Sequence, residues 1–358
     1  MIDPHVHLRD GEERDKETVR HGLEVARRAG LDAVFEMPNT RPPLVTRRAI
    51  EERLELADAA LRELGGGIVH GLYAGVTDDE AQLGEVVACH AELFPRVVGL
   101  KLYAGHSTGR MGIVSERSQR SVYRALARLR YRGVLAVHAE KEELLGGSAP
   151  GVPVFDPREP ASHARARPPE AEIASVEDQL RLAGEEGFRG VLHICHISVP
   201  AALERIRGAR ARAPGFRLSA GITPHHALLE AEDMEGPAGL LLKMNPPLRP
   251  RGMRERMLAA LLRGEIDCIE TDHAPHTLHD KTRAHASGIP VLPFYPRFLE
   301  ILAGLGMSAA ALDAATHGWV EETFGLTVKR SGRAGERGLE SEYPFDPFAR
   351  LRGRRAFR

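Results

Sequence analysis

Short runs of β-branched and apolar residues alternate along this chain with longer stretches whose apolar positions recur at helical spacing. Strands are predicted at residues 2–7, 32–37, 67–76, 97–103, 133–139, 190–197, 217–223 and 266–271. Each is followed by an amphipathic segment, such as "RRAIEERLELADAALREL" from Arg47 or "EAEIASVEDQLRLAGEEG" from Glu170. Thr77 and Ser115 stand where N-caps of two further helices are expected. Eight strand–helix rounds without a GxGxxG after the first strand predict a closed (β/α)8 TIM barrel over a doubly wound dinucleotide fold. Two long loops, 141–168 and 275–296, are expected to serve as binding loops or lids. The barrel is assigned to residues 1–327. Residues 328–358 form a reduced C-terminal appendage, with one or two short strands expected as the remnant of a β-sandwich.

Alternation along the strands sets which side chains face the barrel interior. His5 and His7 share a face at the end of strand one. In "VGLKLY", Leu100 and Leu102 are expected to face the helices, which turns Lys101 inward. In "LHICHIS", His196 is expected to point inward and Cys195 outward, as a small buried apolar residue.

The 358 residues carry a formal net charge of −1, 42% hydrophobic and 28% charged residues, which excludes a disordered chain and a general nucleic-acid binder. Cys89, Cys195 and Cys268 stand singly in apolar runs, so no disulfide framework or cysteine-built zinc site is expected. No apolar run is long enough to span a membrane, and a cytoplasmic protein is expected. Lysine is rare, so Lys101 in an apolar run needs a reason.

That reason lies in what the strand ends bring together. His5 and His7, Lys101, His138, His196 and Asp272 all fall at the carboxyl ends of strands, which converge on one mouth of a barrel. Each alone has an ordinary reading, as a hydrogen-bonded core histidine, a helix cap or half an ion pair. Together they read as a metal centre. Four histidines and an aspartate exceed the three protein ligands of a single catalytic zinc, which points to two ions needing a bridge. Lys101 can be that bridge once carboxylated, because it then presents two anionic oxygens.

The motifs "DPHVHLRD", "EMPNT", "GLKLYAG", "VHAE", "HICHIS", "TPHHALL", "MNPPLR" and "TDHAPHTLHDK", in this order over residues 3 to 281, resemble those of the dihydroorotase family of the amidohydrolase superfamily, in its lysine-bridged binuclear zinc form. The resemblance implies that His5, His7 and Asp272 hold one zinc with carboxylated Lys101, and that His138 and His196 hold the other with the same lysine. It also implies that Arg9 and Asn39 contact the substrate carboxylate with help from His276, and that Asn245 contacts the pyrimidine ring. The implied reaction interconverts N-carbamoyl-L-aspartate and L-dihydroorotate in pyrimidine synthesis, with a metal-bridging hydroxide as nucleophile and Asp272 as general acid and base. One of His225 and His226 is expected to support the site.

Departures from the family pattern are equally specific. The segment that precedes the HxH strand in relatives is expected to be missing, and with it most of the β-sandwich. Some relatives place a glutamate ligand where Gly221 stands, so that site is expected to be lost, while Glu270 faces inward with no assigned role. Two alternatives remain: another cyclic amidohydrolase, allantoinase- or hydantoinase-like, or a non-catalytic homologue acting as a structural partner of aspartate transcarbamoylase. Expected partners are a small anionic substrate, a second copy in a homodimer and that transcarbamoylase, with neither nucleic acid nor membrane.

Overall fold

The computed structural model of the chain describes residues 1–107 and 111–353; residues 354–358 of the expected appendage lie outside them. Eight parallel strands form one sheet in sequence order: β1 (Ile2–Val6), β2 (Ala33–Glu36), β3 (Val69–Gly75), β4 (Val97–Tyr103), β5 (Val134–His138), β6 (Val191–Ile194), β7 (Arg217–Ile222) and β8 (Cys268–Ile269). This is a (β/α)8 barrel, with a strand in every predicted window. Most strands are shorter than predicted, and β8 is only two residues long, because the chain turns at the strand ends to aim side chains at the mouth. His196 and Asp272 have φ of 37° and 49° there, left-handed values that His and Asp tolerate better than most residues.

β8 pairs with β7 through Gly221 and Cys268. It closes on β1 beyond its own end: Asp272 N donates to His5 O at 3.0 Å and His7 N to His273 O at 2.7 Å. The buried Asp3 carboxylate reinforces this seam by accepting Thr271 N at 3.0 Å and the Thr271 hydroxyl.

Local signals explain the helices. Thr46 caps Arg47–Glu63 by accepting from Ala49 N, Ser115 caps Glu116–Arg128 as expected, and Pro169 opens Pro169–Glu185, where its missing N–H is no loss. The cap of Glu80–Leu93 is Asp79, whose carboxylate accepts from Ala81 N and Gln82 N, while the Thr77 hydroxyl binds the Gln82 side chain instead.

Two apolar layers follow from strand alternation. Leu100, Leu102, Leu135, Val137, Leu192 and Ile194 pack outward beneath the helices. Phe35, Tyr73, Val98 and Ala136 fill the barrel, whose floor is closed by Val320 and Phe324 of helix Trp319–Phe324. The Phe324 ring meets Phe35 and Tyr73 edge-on, at 5.2 and 6.0 Å between centroids.

The strands expected in the C-terminal segment are not present among the described residues. Beyond 328 the chain runs as an irregular strap with two 3-10 turns, Leu339–Glu342 and Ala349–Gly353. Its "SGRAGERG" stretch lacks the alternation a strand requires. The backbone pairs with the barrel rim, through Glu336 N to Arg28 O at 2.8 Å and Ser331 N to Asp32 Oδ1 at 2.8 Å. Among the described residues no helix is long and apolar enough to cross a membrane.

Phe324→Ala should cost about 3 to 5 kcal/mol by opening a cavity in the barrel floor. Urea denaturation should show a lower midpoint at unchanged slope; an unchanged midpoint would show that Phe324 does not stopper the barrel.

Candidate metal centre at the mouth of the barrel

The seam between β1 and β8 gathers the first three candidate ligands. His7 Nε2 lies 2.9 Å and His5 Nε2 3.3 Å from Asp272 Oδ1. In each imidazole the other nitrogen is occupied. His7 Nδ1 faces Asn39 Oδ1 at 2.6 Å, and His5 Nδ1 faces Glu270 Oε2 at 3.2 Å. Donation from Nδ1–H to these oxygens fixes the tautomer that leaves Nε2 free for a metal. Burial, opposed only in part by Asp272, takes His7 down to about 4, so it stands as the neutral imidazole a metal requires. Asp272 is driven the other way: burial disfavours its charge, but His7 and His5 hold the carboxyl well below the usual carboxylate range.

The second pair comes from β5 and the turn after β6. His138 Nδ1 and His196 Nε2 lie 3.3 Å apart, and both residues are buried. Two nitrogens bound to one tetrahedral zinc at roughly 2.0–2.1 Å sit about 3.3 Å from one another, so the spacing fits a shared ion. Burial and the neighbouring His138 push His196 well below its ordinary value. Glu140 Oε2 is 3.0 Å from His138 Nε2, in ion-pair range without hydrogen-bond geometry, and Arg167 clamps the same carboxylate at 2.6 Å.

Lys101 is fully buried on β4 and points into the barrel, as alternation required, while Leu100 and Leu102 face the helices. The outward direction expected for Cys195 is corrected. Its Sγ lies inside the barrel, 3.1 Å from Lys101 Nζ. With Leu192 and Ile194 outward, alternation itself turns Cys195 inward, and the left-handed turn at His196, beyond the end of β6, brings the next side chain inward as well. Burial would raise the Cys195 thiol, but Lys101 beside it and nearby His5 take it down to about 5.

Two buried lysines make an instructive contrast. Lys281 donates to three carbonyl oxygens, Lys243 O at 2.7 Å, Ala286 O at 3.0 Å and Gly288 O at 2.8 Å, and so satisfies all its protons. Among the described residues the Lys101 ammonium has one hydrogen-bond partner, the Cys195 sulfur, and the Tyr103 ring lies 5.1 Å from its Nζ. Two of its three protons are thus without a hydrogen-bond acceptor in a buried site, which is costly. The donor set thus fits a lysine whose nitrogen carries a carboxylate toward metal.

Arg9, Asn39, Met244, Asn245, Ser287 and Gly288 line one cleft with the candidate ligands His5, His7, His138, His196 and Asp272. Arg9 is 4% exposed; its Nη1 is 3.7 Å from Glu13 Oε2, and its Nε has no hydrogen-bond partner among the described residues. Asn39 Oδ1 is engaged by His7, so Asn39 ties the cleft to one of the candidate ligands. Asn245 Oδ1 meets His163 Nε2 at 3.0 Å, which joins the first long loop to the cleft. His276 is buried with Nε2 on Ser287 O at 3.0 Å and is absent from the cleft lining, so it braces the second loop. His226 bonds Thr223 and Pro246 O, while His225 is buried with neither ring nitrogen partnered among the described residues.

Sequence reading missed several supports. Arg53, from helix Arg47–Glu63, grips Glu36 and donates to Leu8 O and Arg9 O at 3.1 and 2.7 Å, fixing the backbone that carries Arg9. Arg249 of "MNPPLR" binds Ser198 and Glu172 rather than the cleft. A charged residue at a core position of an amphipathic helix was the available signal for Arg53.

No family model matches the chain. It is similar to the dihydroorotase of Thermococcus kodakarensis, 35% identical over 82% of this chain and 59% of the relative, and to that of Brevibacillus brevis, 34% identical over 82% and 63%. The chain thus spans about three fifths of the length of these curated relatives. Solved structures of like fold include L-hydantoinase (dihydropyrimidinase) from Arthrobacter aurescens, with TM-score 0.73 and 24% identity, covering 90% of this chain and 70% of that one. Dihydroorotase from Saccharomyces cerevisiae, solved with 5-fluoroorotic acid, aligns with TM-score 0.71 and 17% identity over 91% and 84%.

Asn39→Ala should free the His7 ring to change tautomer and weaken metal binding by about 10- to 100-fold. Competition with a coloured chelator measures this directly; unchanged affinity would remove Asn39 from the metal support.

Proposed function

Since the chain is a homologue of the dihydroorotases over most of its length, we propose that it hydrolyses a cyclic amide reversibly, interconverting L-dihydroorotate and N-carbamoyl-L-aspartate in pyrimidine synthesis. The observation that carries this reading is the convergence of His5, His7 and Asp272, of His138 and His196, and of an under-satisfied Lys101, on one mouth beside a buried arginine.

His5, His7 and Asp272 would hold one zinc, His138 and His196 the other, and carboxylated Lys101 both. Bound there, the pair supplies Lewis acidity toward the amide carbonyl and toward water. The remaining work falls to side chains. Arg9 offers a planar fork, with an Nε–H lacking a protein partner, to the substrate carboxylate. Asn39 assists Arg9 at the carboxylate, and Asn245 with the loop braced by His276 positions the ring. Water oxygen bonds to the amide carbon, the carbon–nitrogen bond breaks, and Asp272 carries the proton from water to the departing ring nitrogen. Synthesis of dihydroorotate runs the same transfers backwards. The three cysteines are free and buried, which suits a reducing cytoplasm.

A hydantoinase-like activity is the second reading, supported by the fold of the solved hydantoinases. Arg9 weighs against it, because an uncharged hydantoin offers no carboxylate to the Arg9 Nε–H that lacks a hydrogen-bond partner among the described residues. Purified protein offered dihydroorotate, allantoin and a hydantoin in parallel should turn over dihydroorotate; turnover of a hydantoin or allantoin alone would overturn the proposal. Arg9→Met should lower kcat/KM for dihydroorotate by about 10- to 100-fold, the worth of one charged hydrogen bond. Lys101→Ala should abolish turnover, with partial recovery on adding small carboxylic acids; full turnover without them would exclude a lysine bridge.

A further inference from the structure

Glu270 is wholly buried at the end of β8, and three donors converge on it. His5 Nδ1 faces Oε2 at 3.2 Å, His193 Nε2 faces Oε2 at 3.3 Å, and the backbone N–H of His196 donates to Oε1. His193 is itself held at Nδ1 by Ser219 Oγ at 3.1 Å. With the Ser219 hydroxyl donating to His193, every proton has one consistent place: His193 Nε2–H and His5 Nδ1–H both point at the carboxylate. One side chain thus fixes the ring of one candidate ligand on β1 and the peptide of another beyond β6, whose rings lie 5.0 Å apart.

Room for it comes from the neighbouring strand. Gly221 on β7 lies beside Cys268, and a Cβ built there would fall 2.2 Å from Glu270 Oε1 and 2.5 Å from its Cδ. Such separations do not occur between real atoms, so any side chain at 221 must displace the carboxylate. Gly221 and Glu270 therefore act as one unit, with the carboxylate on β8 occupying the volume that β7 leaves empty.

The geometry points to Glu270, seated in the space left by Gly221, as a positioning residue that locks the His5 tautomer and the His196 backbone for metal binding. This rests on the metal-centre reading above. It makes a chemical demand that shape alone does not: all three neighbours are donors, so both oxygens must accept. Glutamine has the same shape but one NH2. In either orientation that NH2 opposes a donor: toward His5 it drives the ring to the tautomer with a proton on Nε2, and toward His196 it meets an N–H.

The test is Co2+ titration of metal-free full-length protein, read by visible absorption and chelator competition, for wild type, Glu270→Gln and Gly221→Ala, with far-UV circular dichroism as a check on folding. Folded Glu270→Gln should lose about 10- to 100-fold in Co2+ affinity, the usual effect of removing a support behind a metal-ligating histidine. Gly221→Ala, which keeps the carboxylate but evicts it, should lose affinity in the same direction. A purely space-filling role predicts that Gln substitutes fully, so wild-type affinity in either folded variant overturns the assignment. Failure of the wild-type protein itself to bind Co2+ would overturn the metal-centre reading, and this inference with it, and is visible before any variant is compared.

Discussion

The structure depends on one seam. A parallel sheet becomes a barrel only if its last strand bonds to its first, and here β8 is too short to do so by strand pairing alone. The work passes to the residues just beyond it, Thr271 to His273, which bond to Asp3, His5 and His7. Closure of the fold and assembly of His5, His7 and Asp272 are therefore the same set of contacts. The strap carrying Tyr343 supports the seam from behind, since the Tyr343 hydroxyl and His273 Nε2 share the Glu17 carboxylate, and His273 Nδ1 accepts from Val291 and Leu292.

Around this seam the electrostatics is arranged by burial against pairing. Carboxylates that burial alone would neutralise stay charged because histidine or arginine faces them, as at Asp272, Glu270 and Glu140. Histidines such as His7 and His196, in contrast, are kept neutral by the same burial. At His7 and His196 the mouth thus sets neutral nitrogens near the anionic Asp272 and Glu270, a donor mixture that suits a divalent cation.

What was legible in the sequence was what is local. A polar residue at the end of a β-rich run is visible from spacing, so the barrel and the gathering of the candidate ligands His5, His7, Lys101, His138, His196 and Asp272 at its strand ends could be read from the sequence alone. Orientation failed where the backbone leaves the strand: with Leu192 and Ile194 outward, alternation turns Cys195 inward, and His196 can face inward as well only through a left-handed turn that alternation does not contain. Contacts between strands or between helix and strand were also hidden. The fit of Glu270 over Gly221 needs the β7–β8 register, and the Arg53 clamp needs the packing of a helix over two strand ends. The strap lacks any periodic pattern, so nothing in it announced that it would remain without strands.

The left-handed turns at His196 and Asp272 bear on how such a scaffold can diversify. Replacing either residue removes a candidate ligand and also asks a new side chain to accept a backbone that Asn, Asp, His and Gly tolerate and β-branched residues resist. Arg9, Asn39 and Asn245 carry no such backbone demand. Random drift and directed evolution alike would find it easier to change Arg9, Asn39 and Asn245 in the cleft than to change the candidate ligands His196 and Asp272.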